Sequence, residues 1–113
     1  MLDAIKQRRS VRQYKPDPVP EDALREIVEA AFSAPSANNV RPWHLIVVTD
    51  KAKRAALAQV HQYAGFSAEA PAIMVMCGNE GDAPHWWIED CCAATTNAID
   101  APLVTRMALL SGT

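Results

Sequence analysis

The sequence SAPSANNVRPWHLIVV at residues 33–48 decides the fold, because it joins a loop of small and polar residues directly to an apolar run. The run WHLIVV is short and rich in β-branched residues, which predicts a buried strand over residues 43–48. The loop before it carries Pro35, Ser36, Ala37 and Asn39. Small side chains let the backbone approach a flat ring closely, and an asparagine offers both a donor and an acceptor to the edge of a heterocycle. An ordinary loop leading into a strand, stiffened by Pro42, is the alternative interpretation.

Upstream of this stretch, proline positions and helical spacing predict two helices and a connector. A short helix is expected over residues 2–9. Three prolines within residues 16–20 cannot continue a helix, so residues 14–20 are expected to be extended. A longer amphipathic helix is predicted from Pro20 to residues 32–34, with Glu21 and Asp22 in its first turn.

Downstream of it, the sequence predicts a helix, a second buried strand and another helix. Thr49 and Asp50 can cap a helix that runs from Lys51 to about Tyr63 and is broken by Gly65. The apolar run at residues 72–77 predicts the strand, and residues 85–99 predict the last helix. Its buried seam is expected to consist of Trp87, Cys91, Ala94 and Ala98. Strands separated by helices indicate an α/β or α+β sandwich.

Composition and charge exclude several classes of protein. The chain has 113 residues, of which 50% are apolar and 21% charged, and this suits one globular domain or a piece of one. A formal net charge of −2 gives no general electrostatic case for binding nucleic acid or an anionic membrane. No apolar run approaches the ~18 residues of a membrane span. The N-terminus is polar and basic, without the apolar segment of a secretory signal, so a cytoplasmic location is expected.

The three cysteines, Cys77, Cys91 and Cys92, are predicted to be buried, reduced thiols used for packing. Cys91 and Cys92 are adjacent and make a poor disulfide pair. The chain has no CxxC pair, and its three histidines are scattered, so we expect no metal site.

A basic cluster near the N-terminus is the second candidate site. Its members are Arg8, Arg9, Ser10 and Arg12. Arginine donates in a rigid fork that matches phosphate oxygens, and serine adds a short hydroxyl donor, so the cluster can wrap a phosphate. A solvated basic face is the alternative interpretation for these residues taken by themselves.

Taken together and in order, four segments resemble the nitroreductase family of flavin enzymes: RRSVRQY at residues 8–14, SAPSANNVRPWHLIVV, EAPAIMVM at residues 69–76 and WWIEDCCAATTN at residues 86–97. The resemblance implies an α+β fold, a nitroreductase-like α/β/α sandwich with a mostly antiparallel sheet, here incomplete at the C-terminus. It also implies FMN bound non-covalently at the interface of a homodimer. Hydride would pass from NADH or NADPH through the flavin to a nitroaromatic, a quinone or another flat electrophile in a ping-pong cycle.

The resemblance also implies roles for individual residues. Arg8, Arg9, Ser10 and Arg12 match the first FMN segment. Arg8 and Ser10 would hold the phosphate and ribityl end, and Arg12 would reach the isoalloxazine near its N1 and O2 edge. Pro35, Ser36 and Ala37 match the segment that the second subunit lays against the ring. Asn39 is assigned to the flavin or to organising the loop. No side chain is expected to act as a catalytic acid, base or nucleophile, and Trp86 and Trp87 are expected to fill a core or an interface rather than line a pocket.

The resemblance stops after Asn97, where a long leucine- and alanine-rich helix would normally continue. We therefore expect residues 1–97 to be the N-terminal part of a nitroreductase domain and residues 98–113 to be an unmatched tail. Pro102 should stop the last helix. The abrupt change predicts a truncated product, with a frameshift near codon 98 as the hypothesised cause, and weak or no FMN binding by the isolated chain.

Two alternatives stay open from the sequence. The chain could be a non-catalytic fragment that folds only with a partner subunit and acts at most as a binding module. Alternatively, it could derive from a specialised flavin enzyme, one that consumes its own flavin or removes halogens, whose distinguishing residues would lie mainly outside this sequence.

Overall fold

A computed structural model describes residues 2–101 and 108–111 of the chain. These residues form four α-helices and three strands. In chain order they are α1 (Leu2–Gln7), α2 (Glu21–Phe32), β1 (Trp43–Val48), α3 (Lys51–Leu57), β2 (Ile73–Gly78), α4 (Trp87–Asp100) and β3 (Ala108–Ser111). Two 3₁₀ helices, Ala37–Asn39 and Gly65–Glu69, lie in the loops before β1 and before β2.

The strands form one sheet in the order β1-β2-β3. β1 pairs with β2 antiparallel, with Trp43 opposite Gly78 and Val48 opposite Ile73. β3 pairs with β2 in parallel, with Ile73 opposite Ala108. β2 is therefore the central strand of the described sheet.

The core lies where α2 and α4 pack against each other and against the sheet. Small residues make this packing close: Ala31, Ala94 and Ala98 are fully buried. Larger side chains fill the space around them, led by Ile27 of α2 and Met74 of β2. The predicted seam of the last helix is confirmed at Cys91, Ala94 and Ala98, whereas Trp87 is half-buried.

Trp87 packs over the end of β2, where Gly78 leaves room for it. A Cβ atom at residue 78 would collide with the Trp87 ring and would lie 2.9 Å from Cys91 Sγ. Gly78 therefore allows a close approach between α4 and β2 that any larger residue would prevent.

The helix predicted after β1 is shorter than expected. Asp50 caps α3 by accepting a hydrogen bond from the backbone N–H of Lys53 at 2.9 Å, as the sequence predicted. The helix then ends at Leu57 rather than near Tyr63. Val60 and Tyr63 are more than 70% exposed, so a continued helix would have gained almost no apolar burial there. Gly65 consequently opens a 3₁₀ helix instead of ending α3.

The prediction of two buried strands is confirmed for β2 and wrong for much of β1. Ile73 and Met74 are fully buried, but Ile46 of β1 is 52% exposed and Val47 is exposed as well. β1 is an edge strand of the described sheet, whereas β2 lies between β1 and β3 and contributes Met74 and Met76 to the core formed with α2 and α4.

The cysteines are reduced, but only Cys91 is buried, so the expectation of three buried thiols is wrong. Cys77 is half-buried and Cys92 is exposed on α4. Adjacent residues on a helix point in directions about 100° apart, which is why Cys92 faces solvent when Cys91 faces the core. Burial raises the pKa of the Cys91 thiol, and the negative charge of the neighbouring Asp90 raises that pKa further.

These environments predict unequal alkylation of the native chain. At pH 8, iodoacetamide should modify Cys92 at least about tenfold faster than Cys91, because the thiolate is the reacting species and a raised pKa leaves less of it. Peptide mass spectrometry over time measures the two rates. The difference should disappear in concentrated urea, and Cys92→Ser should remove the fast phase. Equal rates in the native chain would contradict the burial of Cys91.

Candidate functional site

The basic cluster lies in the segment without regular secondary structure that follows α1. Arg8, Arg9, Ser10 and Arg12 are all exposed. Arg9 donates from Nη1 to the carbonyl oxygens of Lys6 and Arg8, each at 2.8 Å, so its guanidinium braces the end of the helix. In the described part of the chain, neither Arg8 nor Arg12 forms an ion pair with a carboxylate. Two cations and a hydroxyl are therefore available to an anion.

Phe66 attaches this segment to the rest of the fold. The Arg12 guanidinium carbon lies 5.8 Å from the centre of the Phe66 ring, and Tyr14 stacks on the same ring with centroids 6.3 Å apart. The Tyr14 hydroxyl donates to the Val11 carbonyl at 2.6 Å. Burial raises the pKa of Tyr14 against the opposing effect of the positive Arg12, which keeps this hydroxyl protonated as a donor. Sequence reasoning missed Phe66, since nothing local marks it as a partner of residues 12–14.

The small-residue loop at residues 35–42 has an unusual backbone. Asn38, Asn39 and Arg41 have φ values of 55°, 54° and 54°. These values fall in the left-handed region, which asparagine tolerates better than most residues and which costs an arginine free energy. The loop also bonds to itself: the Arg41 N–H donates to Ser36 Oγ, and Arg41 Nε donates to Asn39 Oδ1, both at 3.0 Å.

The Asn39 side chain contacts its own loop in this structure, because its oxygen accepts a hydrogen bond from Arg41 Nε. A contact between Asn39 and a flavin stays a prediction. Ser36 and Ala37 are half-buried, and Pro35 is exposed, so part of this segment is accessible from outside the chain.

Asp90 of α4 also contacts this loop, and it was not among the site residues predicted from the sequence. It is 6% exposed, and its Oδ1 accepts a hydrogen bond from the backbone N–H of Ala37 at 3.1 Å. Its other oxygen, Oδ2, is buried without a hydrogen-bond partner among the described residues. The sequence could have indicated this residue, because Asp90 is an acidic residue among the predicted buried, apolar positions of α4.

The two candidate segments are held by different parts of the fold. Arg12 and Tyr14 contact the Phe66 ring, whereas the Ala37 N–H donates a hydrogen bond to Asp90. Within the described ranges, no hydrogen bond, ion pair or ring contact joins residues 8–12 to residues 35–39. Their joint action at one ligand stays a prediction.

The two tryptophans differ in environment. Trp87 packs against Gly78 and Cys91, whereas Trp86 is 54% exposed. Residues 2–101 and 108–111 contain no group of three or more potential metal ligands. Over the same residues, no helix combines the length and the apolar character needed to cross a membrane.

Comparison with known proteins identifies the family. The sequence model of the Nitroreductase family matches residues 5–101. A protein of Methanothermobacter thermautotrophicus, provisionally named NADH dehydrogenase/NAD(P)H nitroreductase, is 37% identical over 101 residues, which are 88% of this chain and 53% of that protein. The chain thus belongs to the Nitroreductase family and spans about half the length of this relative.

Solved structures agree on the fold. A crystal structure of a similarly named protein from Parabacteroides distasonis superposes with a TM-score of 0.85 at 34% identity, covering 88% of this chain and 60% of that one. An FMN-dependent nitroreductase from Clostridium difficile R20291 gives a TM-score of 0.82 at 35% identity, covering 89% and 60%. The predicted α+β, nitroreductase-like fold class is confirmed.

Proposed function

We propose that this chain carries the N-terminal part of the FMN site of an NAD(P)H-dependent oxidoreductase that acts as a homodimer. The acceptors would be nitroaromatics, quinones or similar flat electrophiles, reduced in a ping-pong cycle. The observation that supports this most directly is the pair of exposed arginines near Ser10, Arg8 and Arg12, which have no carboxylate partner among the described residues and lie in the region that matches the family. A cytoplasmic location is part of the same proposal.

The chemistry of the basic cluster suits the phosphate end of FMN. Arg8 is exposed and lacks a carboxylate partner in the described part of the chain, so phosphate oxygens would not have to displace an existing ion pair. Ser10, two residues further along the same exposed segment, adds a hydroxyl donor. We assign the phosphate and ribityl end to these two residues, with Arg9 bracing the segment.

Arg12 suits the other end of the cofactor. When bound, FMN supplies the two-electron chemistry that moves hydride from NADH or NADPH to the acceptor. A fixed cation at the N1 and O2 edge of the ring favours the negative charge that reduction places there. The Arg12 guanidinium lies over the Phe66 ring, a contact that favours this position of the cation.

The loop at residues 35–39 suits the face of a flat ring in the partner subunit. Pro35, Ser36 and Ala37 have small side chains, and Pro35 is exposed. Because this loop and the basic cluster are attached to different parts of the fold, a site shared between two subunits is compatible with their placement.

Titration of the chain with FMN and with riboflavin tests the proposal. The two flavins differ by the phosphate alone, so a site built on Arg8 and Ser10 should bind FMN at least about tenfold more tightly. Quenching of flavin fluorescence measures both affinities, and we expect saturable but weak binding of FMN. Equal affinity for the two flavins would exclude the proposed phosphate contacts.

A second candidate function is a non-catalytic binding module that needs a complete subunit as its partner. The observation that favours it is the exposed apolar surface: Ile46, Trp86 and Ile88 are each more than half exposed. Co-purification with a full-length family member, together with absence of saturable FMN binding by the chain alone, would select this second function over the first.

A further inference from the structure

Asp90 is a buried carboxylate that makes one hydrogen bond, and that bond reaches the small-residue loop. The side chain is 6% exposed, and Oδ1 accepts from the Ala37 N–H across 53 residues of sequence. Burying an ionised carboxylate is costly unless it is well bonded, yet Oδ2 has no donor among the described residues. Because only one of the two carboxylate oxygens has a hydrogen-bond donor among the described residues, a contribution to stability alone does not readily explain a buried aspartate here.

The loop that Asp90 holds is strained directly after the point of contact. Positive φ values at Asn38, Asn39 and Arg41 follow Ala37. Such conformations persist only where the surroundings enforce them. In the part of the chain that the structure describes, two hydrogen bonds tie residues 35–42 to other elements: Ala37 N–H to Asp90, and the Asn79 N–H to the Pro42 carbonyl at 2.7 Å. Among the described residues, Asp90 is therefore the only one outside the loop whose side chain hydrogen-bonds to its middle.

We infer that Asp90 is a positioning residue for residues 35–39. Its carboxylate fixes the Ala37 N–H from α4 and so holds Pro35, Ser36 and Ala37 in one conformation at the surface. This inference rests on the proposed function in one respect: the loop is the segment offered to the flavin ring. The fixing of the loop itself is a property of this chain and can be measured without a cofactor.

A purely structural role for Asp90 makes a different prediction. Acidic side chains in the first turn of a helix stabilise it through the helix dipole, and Glu89 occupies the same turn but is exposed. Asn97 provides a second comparison, because it also extends from α4 to another element, donating from Nδ2 to the Ala30 carbonyl of α2 at 3.1 Å. Loss of Glu89 or Asn97 should affect α4 or its packing on α2 without loosening the loop.

Hydrogen exchange at the Ala37 amide separates these possibilities. Asp90→Ala should raise the exchange rate of this amide at least about tenfold, because it removes a charged acceptor. Asp90→Asn keeps one side-chain oxygen as an acceptor and should restore most of the protection. Glu89→Ala and Asn97→Ala should leave Ala37 exchange within about threefold of the unmodified chain, and thermal unfolding of all four variants shows which of them lose global stability.

Two outcomes would overturn the inference: an unprotected Ala37 amide in the unmodified chain, or equal acceleration by Asp90→Ala and Asn97→Ala. The flavin titrations of the same variants are read separately. If the unmodified chain fails to distinguish FMN from riboflavin, the proposed function fails while the exchange data still decide the role of Asp90. If the unmodified chain prefers FMN to riboflavin and the exchange data support the role of Asp90, then Asp90→Ala should weaken FMN binding and Asp90→Asn should restore it.

Discussion

Replacing Ile73 with alanine is expected to lower the free energy of unfolding by about 2–5 kcal/mol, whereas the same replacement at Ile46 should cost less than about 1 kcal/mol. Both residues are isoleucines in neighbouring, paired strands, and they differ in burial. Ile73 is fully buried in β2, and Ile46 is 52% exposed in β1. The first change removes atoms from a packed environment and leaves a cavity, whereas the second removes atoms that solvent already reaches.

Urea unfolding followed by circular dichroism measures both effects, provided that the denaturant slope stays constant among the variants. Ile73→Val, with an expected loss of about 0.5–1.5 kcal/mol, extends the test to a variant that should still fold. A loss at Ile46 as large as that at Ile73 would contradict the exposed face of β1 and would indicate that a second copy covers it.

The contrast between these strands shows where sequence reasoning reached its limit. The runs at residues 43–48 and 72–77 are both short and apolar, and both were predicted to be buried. Burial of a strand depends on its neighbours in the sheet and on the helices above it. β2 lies between β1 and β3, whereas β1 lies at the edge. The position of a strand in the sheet depends on long-range pairing, so the hydrophobic pattern within one strand does not predict it.

Helices were predicted well where their pattern was long and their boundaries were marked. The α4 seam continues through Cys91, Ala94 and Ala98, so the periodicity identified its buried face. The α3 pattern was weaker. Ala52, Ala55 and Ala56 favour a helix but are exposed. Val60 and Tyr63, beyond its end, are exposed as well, so continuing the helix past Leu57 would have buried little apolar surface.

The sequence predicted the two segments of the candidate site but not the residues elsewhere in the fold that contact them. Arg8, Arg12 and the loop at residues 35–39 stand out locally because of their charge or small size. Their supports do not: Phe66 follows Arg12 by 54 residues, and Asp90 follows Ala37 by 53. Nothing in the local sequence around Phe66 or Asp90 predicts which distant residue each will contact. These contacts can be seen only in the folded chain.

Arg8→Ala and Arg12→Ala are expected to change flavin binding in different ways. Arg8 is proposed to hold the phosphate, so its loss should weaken FMN binding about tenfold or more and leave riboflavin binding unchanged. Arg12 is proposed to act at the ring, which both flavins share. Its loss should therefore weaken FMN and riboflavin by similar factors and preserve the ratio of their affinities. Flavin fluorescence titrations at one fixed salt concentration give all four affinities.

A control must separate the effect of losing one positive charge from the effect of losing an arginine at the proposed site. Lys53→Ala removes one positive charge from the exposed face of α3, matching each arginine variant in net charge, and should alter neither flavin affinity. Raising the salt concentration should reduce the preference for FMN in the unmodified chain but not in Arg8→Ala, because screening acts on the phosphate contact that this variant lacks. If Lys53→Ala weakens FMN as much as Arg8→Ala does, the preference reflects net charge and not a phosphate site. If Arg12→Ala changes FMN alone, both arginines belong to the phosphate, and the assignment of Arg12 to the ring is wrong.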